Sequence, residues 1–128
     1  MNKDQETIKI GNQTLNEDDL QFNVEYKGEM FTLVYPSPWA KIEIERIITQ
    51  KLGAAPRSSY TQEHINFVEA VVYVNELIVL DKSPSWFKSA LTCYDTELIN
   101  TLYAGYLSFR RKFKDKLQTG GFAEGNRK

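Results

Sequence analysis

DTELINTLYAGYLSFRRKFKDKL runs from Asp95 to Leu117, and its spacing decides the fold. Ile99, Leu102, Tyr106, Phe109, Phe113 and Leu117 recur at steps of three or four, the period of one helix face. At about 1.5 Å per residue the segment makes a rod about 33 Å long. Its apolar side carries aromatic rings and needs a cover. Arg110, Arg111, Lys112, Lys114 and Lys116 crowd the rod's C-terminal half, where cations complement the helix dipole. A rod of this kind points to packing and binding rather than to catalysis.

Upstream, Tyr60 to Leu80 contains Val71, Val72, Val74, Ile78 and Val79, all strand formers, yet its polar residues select a helix. Gln62, Asn66, Glu69, Tyr73 and Glu76 step by four, three, four and three, which makes one stripe on a helix and no face of a strand. Ser59 and Gln62 have the spacing of a capping box. The rest of this helix is apolar over more than half its circumference, so it is expected at the centre, covered on two sides. Before it, Ser37-Pro38 opens a helix as N-cap and first helical residue. That helix runs to about Leu52, where Gly53 stops it. Ala40, Ile44, Ile47, Ile48 and Leu52 form its inward stripe.

The first 35 residues read as short strands. Thr7 to Ile10 alternates ahead of the turn pair Gly11-Asn12. Phe22, Val24 and Tyr26 alternate with polar residues, and Met30 to Tyr35 is rich in strand formers. Around the three-residue loop Lys27-Gly28-Glu29 these two runs predict a β-hairpin. The expected fold class is α+β: an N-terminal hairpin or small sheet followed by three main helices packed as a bundle. Residues 1–119 make one domain, β-rich over 1–35 and helical over 36–119. Gly120-Gly121 leads into a flexible C-terminal tail, 120–128.

A chain of 128 residues suits one domain with a modest core. With 41% hydrophobic and 26% charged residues it has a folded protein's composition. A net charge of -1 offers no global argument for a nucleic-acid or membrane partner. Charge is unevenly spread, acidic up to Met30 and basic from Arg110 onward, so the molecule is expected to be dipolar. Cys93 is the sole cysteine, which excludes an internal disulfide or a thiolate metal cage and fits a reducing compartment. The start, MNKDQETIKI, has no signal-peptide core, and the most apolar run, Phe67 to Leu80, is too short and too interrupted to span a bilayer. The expected location is cytoplasmic.

No constellation names a reaction. His64 is the only histidine, so a multi-histidine metal site cannot form. On a helical wheel it falls towards the apolar side with Asn75 nearly beneath it, about 16 Å away along the axis. Two polar groups hydrogen-bonded at the core's edge explain both. A Cys93–His64 nucleophile and base would need a glycine-rich elbow or an oxyanion-hole sequence, and neither is present. Glu43 and Glu45 point in different directions on a helix, Glu69 and Glu76 share its solvent face, and no phosphate-binding glycine loop precedes a helix. The protein is expected to be non-enzymatic, with no catalytic residue, metal or cofactor. Phe109-Arg110-Arg111-Lys112-Phe113-Lys114 interleaves rings with cations, as nucleic-acid contacts do, but packing of the two rings and dipole compensation account for it better. A small nucleic-acid-binding regulator is the lesser reading. Protein contact is better served by Trp39, by Trp86-Phe87 in a polar linker, either tucked back or presented to a partner, and by Tyr94, Tyr103 and Tyr106, with Phe109 and Phe113 along the rod.

The order of these pieces is distinctive. A β start leads to Pro36-Ser-Pro-Trp39, then to the apolar helix Ile65 to Leu80, the linker Ser83-Pro-Ser-Trp-Phe87, and Asp95-Thr-Glu-Leu-Ile-Asn-Thr-Leu-Tyr103 with Tyr106 and Phe109-Arg-Arg-Lys-Phe113. From Phe31 to Leu117 this arrangement resembles the tail assembly chaperones and similar small tail-region proteins of long-tailed bacteriophages. The resemblance implies a helical protein of the bacterial host's cytoplasm that coats the tape measure protein and hands it to polymerising tail tube subunits. It implies partners among those tail proteins or copies of itself as a homo-oligomer, and no membrane. A longer form made by ribosomal frameshifting is common in that family. The N-terminal strands fit a virion component, such as a neck, tail or baseplate adaptor, as the alternative.

Overall fold

The computed structural model describes residues 7–10, 13–53 and 55–119. The chain is α+β, as its patterning predicts: two antiparallel hairpins precede three packed helices. Strand β1 (Thr7–Ile10) pairs with β2 (Gln13–Asn16), and β3 (Gln21–Tyr26) pairs with β4 (Glu29–Val34). The predicted Gly11-Asn12 turn and the predicted tail at 120–128 lie outside the described residues. In the second hairpin Tyr26 pairs with Glu29, so the loop has two residues rather than the predicted three. Lys27 and Gly28 both take positive φ, 50° and 85°, the twist of a type I′ turn that suits paired strands.

Helix α1 (Pro38–Leu52) starts where Ser37 Oγ accepts the Ala40 N–H at 3.1 Å and stops at Gly53, whose φ is 91°. It buries Ile44, Ile48 and Leu52. Helix α2 (Gln62–Leu77) departs from expectation at both ends. Its cap is Thr61, whose hydroxyl accepts the His64 N–H at 3.1 Å. Ser59 is held in a 3₁₀ turn (Arg57–Ser59), so the expected capping box does not form, and the Gln62 amide bonds Asn66 instead. The helix ends at Leu77 rather than Leu80 because the hairpin captures the chain. Ile78 bridges Leu33, and the Val79 N–H donates to the Thr32 carbonyl at 2.8 Å.

Helix α3 (Thr96–Thr119) is capped by Asp95, which accepts the Leu98 N–H at 3.1 Å and the Tyr26 hydroxyl at 3.0 Å. The hydrogen bond ties the cap to the hairpin. The ring-bearing face of α3 is covered by the chain itself. Phe22 of β3 stacks on Phe109 at 4.6 Å, Tyr35 lies 4.7 Å from Phe113, and Tyr73 of α2 stacks on Tyr106 at 5.1 Å. Phe22 on Phe109 also sets β3 beside the basic half of α3. Helix α2 is central, packed on α1, α3, β4 and the 3₁₀ turn Ala90–Thr92. Among the described residues no helix is long and apolar enough to cross a membrane.

Candidate protein-binding surface

The aromatic residues singled out from the sequence divide into buried and presented groups. Tyr106 and Phe113 are buried, Tyr103 and Phe109 half-buried, and all four rings stack within the molecule. In the linker, Phe87 is buried edge-on against Phe31 at 5.7 Å. Trp86 lies over Phe31 at 5.9 Å with its indole N–H bonded to Glu29 at 2.8 Å, and keeps half its surface exposed. The linker is thus a clamp holding α2's exit against β4. Trp39 stands on the first turn of α1, 69% exposed, with Ile42 beside it at 56%. Arg110 lies over the Tyr106 ring at 5.8 Å, while Arg111, Lys112 and Lys114 face solvent.

A groove that the sequence did not single out lies across α2. Phe67, Val68 and Val71 form one wall, Leu91 and Tyr94 the other, and Lys51 at the end of α1 closes the rim around about 640 Å³. Tyr94 is 97% exposed, Leu91 51% and Phe67 37%. Among the described residues Lys51 is the single charged one in its lining. The only available signal was the breadth of α2's apolar surface, which exceeds what α1 and α3 can cover. Asn75 holds the far wall in place: its Oδ1 accepts the Ser89 hydroxyl at 2.9 Å and the Ala90 N–H at 3.0 Å.

Cys93 lines this groove, half-buried, and no histidine joins it there. His64 does not sit at the core's edge as its wheel position suggests. It is exposed on the first turn of α2, stacked on Tyr60 at 5.0 Å, because the helix turns that flank outward. Among the described residues no three His, Cys, Asp or Glu side chains converge as metal ligands would.

The polar chemistry of the interior is a tyrosine cluster. Tyr73, expected on the polar stripe, is buried, and its hydroxyl donates to Glu45 at 2.8 Å. Burial, reinforced by that bond to Glu45, pushes Tyr73 far above the usual phenol range. Burial pushes Tyr103 up to about 12, with Glu69 and Tyr106 adding to it. The Tyr106 hydroxyl is buried with no hydrogen-bond partner among the described residues. These groups hold their protons and stabilise packing; none is poised to transfer one near neutral pH. No protein-family model, no curated protein and no solved structure matches this chain.

Proposed function

We propose that this protein is a non-enzymatic phage tail assembly factor, a chaperone that shelters an apolar helix of the tape measure protein in the host cytoplasm and promotes tail tube assembly. The observation that carries the reading is the uncovered α2 groove. A protein of this size can close its core, and this one closes the α3 aromatic face completely enough to bury Tyr106 and Phe113. It nevertheless leaves Phe67, Leu91 and Tyr94 around a hollow open to solvent. Contiguous apolar surface of that kind marks an interaction site. A hollow walled by a helix and a short rigid turn accepts an amphipathic helix through anchors spaced along one face. Placing that helix in a phage tail rests on the resemblance from Phe31 to Leu117.

Co-expression with a long, coiled-coil tape measure protein tests it. The soluble fraction of that client should rise several-fold, and Phe67→Asp or Tyr94→Asp should remove the gain while leaving the chaperone's own circular dichroism unchanged. A client that stays equally insoluble with and without this protein would end the proposal.

A further inference from the structure

We infer that the α2 groove takes an amphipathic helix whose apolar stripe is bordered by carboxylates on one edge and by Lys or Arg side chains on the other. The inference rests on the reading of the groove as a polypeptide-binding surface, and adds the charge pattern of the helix bound there.

The groove is one half of a larger trough. A second hollow, of about 730 Å³, lies between α2 and α3. Phe67 and Thr96 line both hollows, so the two meet along a shared ridge. Their chemistry differs. The first is apolar and holds Lys51 as its charged group, whereas the second is polar and is lined by Glu63, Glu69 and Arg110.

Most of these charges are already engaged. Glu69 pairs with Arg57 at 3.8 Å, and Arg110 lies over the Tyr106 ring at 5.8 Å. Lys51 and Glu63 are exposed, and among the described residues neither forms an ion pair. One unmatched cation therefore stands in the first hollow and one unmatched carboxylate in the second. Glu63 and Phe67 are four apart on α2, so the carboxylate is one turn from the ridge, about 6 Å along the axis.

The lining selects the occupant. The residues around both hollows belong to the helices, the Ala90–Thr92 turn and the loop after it, so a strand would find no sheet edge to extend. A fatty acid would satisfy Lys51 and the apolar walls but leave Glu63 unmatched. A helix about 10 Å across, lying over Phe67, sets its apolar stripe on that ring and on the walls of the first hollow. One edge of the stripe then faces Lys51 and the other faces Glu63. Edge charges of this kind choose partners and orientation where helices pack. Turning the helix end for end exchanges its edges, so the same two residues also fix its direction.

Three peptides of about 18 residues, or five helical turns, test the inference. They share one Leu stripe and differ only along its edges: Glu on one and Lys on the other, Lys on both, or Glu on both. Fluorescence anisotropy with the full chain at low salt measures each. The mixed peptide should bind about three-fold more tightly than either uniform one, the size of one exposed ion pair. That preference should fade at about 0.5 M salt. Lys51→Glu should shift it to the all-Lys peptide and Glu63→Lys to the all-Glu peptide, both with native circular dichroism because the two side chains are exposed. Glu63→Gln, which avoids placing a cation on α2's first turn, should erase the mixed peptide's lead over the all-Glu one. Phe67→Asp should abolish binding of all three. Equal binding of the three peptides, or a rank order indifferent to both charge reversals, would overturn the inference and leave the proposed function standing. So would a parent chain that prefers the all-Glu peptide, the mark of a site that needs only an anionic amphiphile. Binding of none would sink the inference together with the polypeptide reading of the groove. Charge-selective binding by a protein that leaves the tape measure protein insoluble would keep the inference and end the proposed function.

Discussion

The Tyr106 hydroxyl is sealed into an aromatic core and makes no well-formed hydrogen bond among the described residues, with the Arg110 guanidinium over its ring as the neighbouring donor. A buried, unmatched hydroxyl costs about 1–3 kcal/mol relative to its hydrated state. Its ring is well used, stacked against Tyr73 and Tyr103. Tyr106→Phe keeps the ring and deletes the unmatched atom, so it should stabilise the fold by about 1 kcal/mol, read as a higher urea midpoint at unchanged slope. A loss of stability would mean that the hydroxyl accepts a hydrogen bond from Arg110. The neighbouring Tyr103 supplies a pH dependence. Its ordinary value of 10.0 is raised to about 12, so folding favours the neutral phenol. The resulting stability is complete below pH 10 and is lost as pH rises towards 12. Denaturation midpoints across that window should fall less steeply for Tyr103→Phe than for the parent chain.

Among the elements, α3 and the second hairpin depend on one glycine. Gly105 costs a helix about 1 kcal/mol relative to alanine, yet a Cβ at that position would collide with the Val24 side chain on β3. Valine is stiff at χ1 and cannot swing aside. Gly105→Ala should therefore destabilise, by about 1 kcal/mol net, because overpacking of about 1–3 kcal/mol outweighs the propensity gain. Combining it with Val24→Ala should remove most of that penalty, and the double-mutant cycle should show favourable coupling between the two changes. Additive losses would mean that the helix and strand do not meet there. This close approach was not legible in the sequence, where Gly105 reads only as a weak point in a helix. What was legible is local. Ser37, Pro38 and Gly53 mark α1 because capping is settled by the residues at the helix ends. The end of α2 was not, since the Thr32–Val79 bond that stops it spans the chain. The groove was hidden for the same reason: Phe67 has the same helical period whether α3 covers it or not. Tyr73 shows the converse, a residue read as polar from its spacing and buried because Glu45 takes its proton donor.

For the whole molecule, the second hairpin serves as the cover that α3's aromatic face requires. Phe22, Tyr35 and Tyr73 occupy that face, and the Tyr26–Asp95 bond fixes the hairpin to the helix's start. If the hairpin lifts, Phe109 and Phe113 lose the Phe22 and Tyr35 rings that cover them, and each stacked pair forfeits about 0.5–1.5 kcal/mol beyond its buried area. Hairpin and helices should therefore unfold as one unit. Trp86 makes this measurable, since it reports on β4 through Phe31 and Glu29. The chain has two tryptophans, so Trp39→Phe, at an exposed site, leaves Trp86 as the only indole. In that variant the urea transitions followed by Trp86 fluorescence and by far-ultraviolet circular dichroism should coincide in midpoint and slope. Were the fluorescence transition to precede the loss of helix, the hairpin would be a separable lid on a helical bundle that stands without it. The aromatic face of α3 would then be a surface the protein can open, and the proposed binding surface would extend beyond the α2 groove. Coincident transitions keep that face closed in the folded protein and leave the α2 groove as the proposed binding surface.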